Sequence, residues 1–183
     1  NSVQVNFFDK STAGSAFINS TGQVNFFDRS TLGNAGILID VGGVAFFDRY
    51  TAGNSGILIE TDIFAGVAFF DRSTAANSFI ETIKSKSPFM FVDFFDNSTA
   101  GNSYISTDFG TQVDFFGNST AGSAVINNGH GGISFFDSSQ GGTAQILLHG
   151  ESSFLDISAH NAPGVTIGSL EADVVFSENA RVF

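Results

Sequence analysis

At 183 residues and 19.2 kDa the chain is long enough for one ordinary domain with a sizeable core. Seven basic against 18 acidic side chains leave a net charge of −11, which excludes nucleic acid and anionic lipid surfaces as natural partners, and the absence of cysteine excludes disulfides, thiolate chemistry and Cys-built zinc sites. A 42% hydrophobic content against 14% charged residues argues against a disordered acidic tail, while no apolar run approaches the ~20 residues of a membrane helix, so no direct membrane insertion is expected.

The sequence opens inside a repeat, at Asn1-Ser2-Val3-Gln4-Val5, as a piece of a longer protein would. The repeating unit reads V-x-F-F-D-x-S-T-A-G-N-S/A-x-I, and its first Phe falls at Phe7, Phe26, Phe46, Phe69, Phe94, Phe115 and Phe135. A weaker copy follows at Phe154-Leu155-Asp156, and spacings run from 19 to 25 residues. Irregular spacing around a constant motif means fixed strands joined by loops of variable length. Within each unit a Val two residues before the Phe (Val5/Phe7, Val24/Phe26, Val44/Phe46) gives the period of two expected of a strand. S-T-A-G then supplies turn formers. A second short period-two segment follows, as in Ala16/Ile18, Ser78/Ile80, Ser103/Ile105 and Ala124/Ile126. No 3.6-residue stripe is present, so helix content should be very low. These elements predict an all-β fold, a right-handed parallel β-helix of about nine coils with roughly 19–25 residues each. One solenoid domain is expected over residues 1–183, with degenerate last coils from about 154. A β-propeller would need roughly 40–50 residues per blade.

The unit as it stands at Phe94-Phe95-Asp96-Asn97-Ser98-Thr99-Ala100-Gly101-Asn102-Ser103-Tyr104-Ile105 resembles the repeats of bacterial autotransporter passenger domains. The stretch Gly164-Val165-Thr166-Ile167-Gly168-Ser169-Leu170-Glu171 also looks like the segment that follows such repeats, although Ala172-Asp173-Val174-Val175 then departs from the family's glycines. The resemblance covers nearly the whole chain. It implies a right-handed β-helix, secreted across the outer membrane by a C-terminal barrel lying outside this sequence. Passengers of that family include adhesins, proteases and esterases, so activity stays open.

Several columns invite a chemical reading. Asp9, Asp28, Asp48, Asp71, Asp96 and Asp137 form a file of carboxylates interrupted by Gly117. So even a file marks no unique acid pair, and each Asp is expected to accept backbone N–H bonds in its own Asx-type turn. Lys10, Arg29, Arg49 and Arg72 follow it and offset the repulsion. A polar file (Ser15, Asn34, Asn54, Asn77, Asn102, Ser123, Thr143) is expected to act as a hydrogen-bonded ladder. A Thr file (Thr12, Thr31, Thr51, Thr74, Thr99, Thr120) is single, where ice-binding faces need two. His130, His149 and His160 lack metal-ligand spacing, and no G-x-S-x-G elbow occurs. Hence no catalytic residue, metal site or cofactor is expected.

Two features point to interaction instead. The two long spacings place extra residues near Thr61-Asp62-Ile63-Phe64-Ala65 and in a segment with Lys84, Lys86, Pro88, Phe89 and Met90, the latter a candidate binding loop. The second Phe of each pair (Phe8, Phe27, Phe47, Phe70, Phe95, Phe116, Phe136) should alternate outward if the first points in. Either the coil is wide enough to bury both rings, or these seven form an apolar stripe that meets another surface. The expected function is a non-enzymatic stalk and adhesive surface of a secreted or cell-surface bacterial protein. Its partner would be a host or cell-surface ligand or a sister passenger, and coil-end or lateral stacking would give homo-oligomers. The rivals are a polysaccharide-acting β-helix enzyme and a self-assembling extracellular fibre.

Overall fold

A computed structural model describes residues 4–61, 64–83, 90–108 and 110–173. Among these there are 16 short strands and no helix. The first sheet stacks Gln4–Phe7, Gln23–Phe26, Gly42–Phe46, Ala65–Phe69, Met90–Phe94, Thr111–Phe115, Gly132–Phe135 and Phe154–Asp156 in chain order. The second stacks Phe17–Ser20, Gly36–Ile39, Gly56–Glu60, Phe79–Ile83, Tyr104–Thr107, Val125–Asn128, Gln145–Leu148 and Ser169–Ala172. Every pairing is parallel and joins consecutive coils, so the chain is a parallel β-solenoid. A third side is reduced to single parallel bridges, Thr12 to Thr31 and onward through Thr51, Thr74, Thr99 and Thr120 to Gln140. The described residues complete eight coils rather than about nine. Residues 157–168 form one long return into the strand Ser169–Ala172 instead of a further coil.

Register follows the repeat through the first seven coils but not at the weaker copy, where Phe154 lies over Gly132 rather than Phe135 and the buried Leu155 lies over Ile133. Phe7, Phe26, Phe46, Phe69, Phe94, Phe115 and Phe135 lie directly over one another. From Phe26 to Phe135 they are fully buried, between Val24, Val44, Val67, Val92 and Val113 on one side and Ile37, Ile57, Ile80, Ile105 and Ile126 on the other. Met90, expected in the extruded loop, is instead the first residue of a strand and only 1% exposed. It continues the apolar file below Ala65, its register partner, and the core claims an unbranched apolar side chain at that place. Lys84, Lys86, Pro88 and Phe89 fall outside the described residues.

Two β-turns shape each coil. One is closed by bonds such as Ser98 N–H to Phe95 C=O (3.0 Å), the other by Ser103 N–H to Ala100 C=O (3.2 Å). The second residue of the first turn is the Asp of the column, with φ of 55–63°, and Gly117 keeps the same conformation (φ 66°) where the column breaks. The carboxylates do not serve their own turns as expected. Asp9 N–H donates to Asp28 Oδ2, Asp28 N–H to Asp48 Oδ2, Asp48 N–H to Asp71 Oδ2 and Asp71 N–H to Asp96 Oδ2, each at 3.1 Å. The left-handed backbone turns each N–H along the rod, where the next coil's carboxylate receives it. The Asn ladder runs as expected, with Asn54, Asn77 and Asn102 each donating to the Asn of the preceding coil at 3.1–3.3 Å. Thr hydroxyls accept the N–H two residues on, as Thr99 Oγ1 does from Gly101 (3.0 Å), so they face the backbone.

One coil breaks the pattern. Tyr50 takes the place of the usual Ser, and its ring enters the core 4.2 Å from Phe46 and 4.9 Å from Phe26. Its hydroxyl accepts the Leu32 N–H at 2.7 Å. Burial keeps this phenol protonated far above neutral pH, despite the opposing pull of that bond.

Three stability outcomes follow, each read by urea denaturation. Phe94→Ala should lose about 3–5 kcal/mol as a buried large-to-small change, against about 1 kcal/mol for half-buried Phe95→Ala. Tyr50→Phe should lose about 1–3 kcal/mol, because it strands the Leu32 N–H. Ala76, at φ 53° where neighbouring coils carry Gly53 and Gly101, should gain about 1 kcal/mol on change to Gly.

Candidate functional site

The outer Phe residues lie between the two alternatives posed by the sequence. Phe27, Phe47, Phe70, Phe95, Phe116 and Phe136 are half-buried, while Phe8, in the first coil, is 52% exposed. They are neither core nor free stripe. Each ring stacks on the next at centroid distances of 4.6–5.0 Å with planes 4–9° apart. Such a ladder covers ring faces and leaves ring edges to solvent.

Beside this ladder, on the outer face of the first sheet, runs a groove of about 650 Å³. Strand alternation makes its floor from the position just before the inner Phe. That position reads Asn6, Asn25, Ala45, Ala68, Asp93, Asp114 and Ser134 along the rod, and Asp156 follows in register with Ser134. Ala45 and Ala68 therefore lie in the middle of the groove, with Phe27, Phe47, Phe70 and Phe95 lining one side. Phe64 and Phe91 line it as well. The Phe91 ring lies flat over Gly66, where a Cβ would come within 2.6 Å of three ring atoms, so only glycine admits it there. Phe64, 63% exposed, packs against Phe91 at 5.2 Å and 42°. At one end Gln23 Nε2 donates to Asn25 Oδ1 (3.1 Å) and Asn25 Nδ2 to Asn6 Oδ1 (2.9 Å).

The other end is acidic. Asp93 and Asp114 pair in register on adjacent strands, both half-buried, and each has an Oδ1 shut off from solvent without a hydrogen-bond partner. Burial, reinforced by the Asp114 charge, pushes Asp93 up to about 7. Burial raises Asp114 too, against the pull of a Ser134 side-chain hydrogen bond and with a further push from Asp156. Among the described residues no Lys, Arg or His lines the groove. Chemically, the site offers an apolar channel with desolvated acceptors at one end and amides at the other.

The sequence reading missed Asp93, Asp114 and Phe91, and placed Phe64 only within an insertion. The signal lay in the x of V-x-F-F, which changes from Asn through Ala to Asp along the chain. The histidines divide between two places. His149 Nδ1 meets Asp173 Oδ2 at 2.7 Å and His130 Nδ1 lies 3.8 Å from Asp108 Oδ1, on one corner beside Glu81. His160 Nε2 sits 2.7 Å from the Ser139 carbonyl. Among the described residues no three His, Asp or Glu side chains gather as metal ligands. No family model, curated protein or solved structure matches the chain.

The acidic end has a pH signature. Asp93 binds its proton more tightly in the folded chain than at the ordinary carboxylate value of 3.8. Its contribution to stability is therefore full below that value and is lost as pH rises toward about 7. Asp93→Asn should flatten this fall and stabilise the protein at pH 8 by on the order of 1–3 kcal/mol. Melting temperatures of both proteins across pH 4–8 check the slope, and an unchanged profile would disprove the burial of this charge.

Proposed function

We propose that this chain is a non-enzymatic binding rod, a stiff β-solenoid that presents the aromatic groove of its first sheet to a ligand. The observation that carries this reading is the half-buried Phe ladder, which forms one side of a groove. Its rings are ordered by one another rather than by the core, and they keep apolar edges available. A contiguous apolar surface of this kind on a water-exposed rod marks a contact site. The repeat's resemblance to autotransporter passengers supports a secreted or cell-surface setting, with a host or cell-surface ligand or a sister passenger as partner.

Adhesion tests this. Beads coated with the protein should adhere to host epithelial or bacterial cells, and Phe47→Ser/Phe70→Ser/Phe95→Ser beads should lose most of that adhesion while retaining a β-type circular dichroism spectrum. Equal adhesion by both bead types refutes the groove as the contact face. A second reading has one observation in its favour: two adjacent carboxylates, both raised by burial, stand at one end of a groove as in a polysaccharide-cleaving site. Incubation with linear polysaccharides should release no reducing ends. Release that disappears in Asp93→Asn would replace the binding reading with this one.

A further inference from the structure

The groove's chemistry narrows its occupant. Its floor of Gly43, Ala45, Gly66 and Ala68 carries no side-chain hydrogen-bonding group, so a polar chain lying over it would leave its own groups unpaired. Rings of the Phe ladder sit face to face with their neighbours at 4.8–4.9 Å between Phe47, Phe70 and Phe95, so they offer edges. A sugar ring packs on an open aromatic face; an aliphatic or aromatic side chain packs well against edges. The middle of the groove therefore suits apolar side chains better than a glycan.

The ends add sign and polarity. Asp93 closes one end, with Asp114 one rung beyond it, and the buried Oδ1 of each lacks a donor. Among the described residues no basic side chain lines the groove, and Lys10, Arg29, Arg49 and Arg72 all belong to the turn beyond the Phe ladder. The chain as a whole carries −11. A Lys ammonium or Arg guanidinium brings several N–H donors and no acceptor, which is the complement of two adjacent carboxylates. At the far end, the Gln23–Asn25–Asn6 amides can bond main-chain groups.

Taking the binding-rod reading as its basis, we propose that this groove receives an extended basic peptide segment of a partner protein. Apolar side chains of the segment enter over Ala45 and Ala68, and a Lys or Arg beside them ends on Asp93 and Asp114. A groove of about 650 Å³ holds a few side chains, which fits a short linear segment rather than a domain face.

Calorimetry with the full chain and a synthetic probe tests it. The probe is the acetylated, amidated heptapeptide LALAKAK, about 23 Å long when extended, whose two leucines and two lysines all project from one face. Three comparison ligands are its analogue with both lysines replaced by glutamine, the analogue with both replaced by glutamate, and cellohexaose. The basic peptide should bind with a micromolar Kd, the glutamine analogue at least tenfold more weakly, and the glutamate analogue and cellohexaose not at all. Asp93→Asn/Asp114→Asn should weaken the basic peptide at least tenfold and leave the glutamine analogue unchanged. Ala68→Leu, which fills the floor, should abolish binding of both, with Ala45→Leu as the second filler should Ala68→Leu lose its β-type spectrum. Equal binding of the lysine and glutamine peptides, both lost on filling, would overturn the charge recognition while leaving the binding face standing. Cellohexaose binding without peptide binding overturns the peptide in favour of a glycan. Failure of every probe, with bead adhesion still sensitive to the Phe triple, overturns this proposal alone; failure of both removes the binding-rod reading as well.

Discussion

One constraint governs the molecule: in a parallel solenoid each residue must lie over its counterpart one strand spacing, about 4.8 Å, away. What can be stacked at that distance with profit is a short list, and the repeat draws on most of it. Aromatic rings stack, and the inner and outer ladders hold centroids 4.5–5.3 Å apart. Asn amides stack by donating along the file. Carboxylates stack badly, since like charges at this distance repel. The Asp file survives because every carboxylate from Asp28 to Asp96 takes the N–H of the coil before it. Its charge is spent on a backbone donor, and the exposed Lys10, Arg29, Arg49 and Arg72 alternate with it along the corner.

The same constraint explains why exposure rises at the two ends of the described rod. Each coil contacts only its neighbours, so a terminal coil has half the partners of an internal one. Val5, Phe8 and Phe17 in the first coil are exposed, as is the whole strand Ser169–Ala172 in the last. Tyr50 shows how far a single internal coil can deviate. Its ring tilts the Phe26–Phe46 and Phe46–Phe69 pairs to 29° and 26°, where the undisturbed Phe69–Phe94 pair lies at 4°. The coil absorbs this because the Tyr hydroxyl takes over the Leu32 N–H, and the equivalent Ala52 and Ala75 N–H groups bond the next coil's Thr carbonyl instead.

The architecture was legible in the sequence because stacking forces identity: a column that works once is repeated. Phe7 to Phe135, the Val two residues earlier and the Ile of the second strand all stand where period and spacing put them. Turn conformations were less legible. An Asp before Ser-Thr reads as an acceptor for its own turn, and only three dimensions show the N–H of Asp9 pointing to the carboxylate of the next coil. The site was least legible. Asp93 and Asp114 occupy a position that the repeat leaves free, and free positions look like noise when only the constant ones are compared. Their significance depends on neighbours across the face, Ala68 and Phe91 above all, which period-two reasoning assigns to the outside without saying what they enclose.

Location of the groove follows from the irregular spacings. The two longest intervals, 23 and 25 residues, lead into the strands Ala65–Phe69 and Met90–Phe94. Phe64 stands just before the first of these strands and Phe91 within the second, over Gly66, supplying lining that the Phe ladder alone does not. Met90, expected in the second of these insertions, goes inward as core. A column shared by every coil cannot mark one point on a rod, because translation by one coil leaves it unchanged. Recognition needs that translation broken. It is broken where the outward file passes from Asn25 through Ala45 and Ala68 to Asp93, in the strands that follow the two long spacings, so the constant residues build the rod and the variable ones distinguish one stretch of it from another.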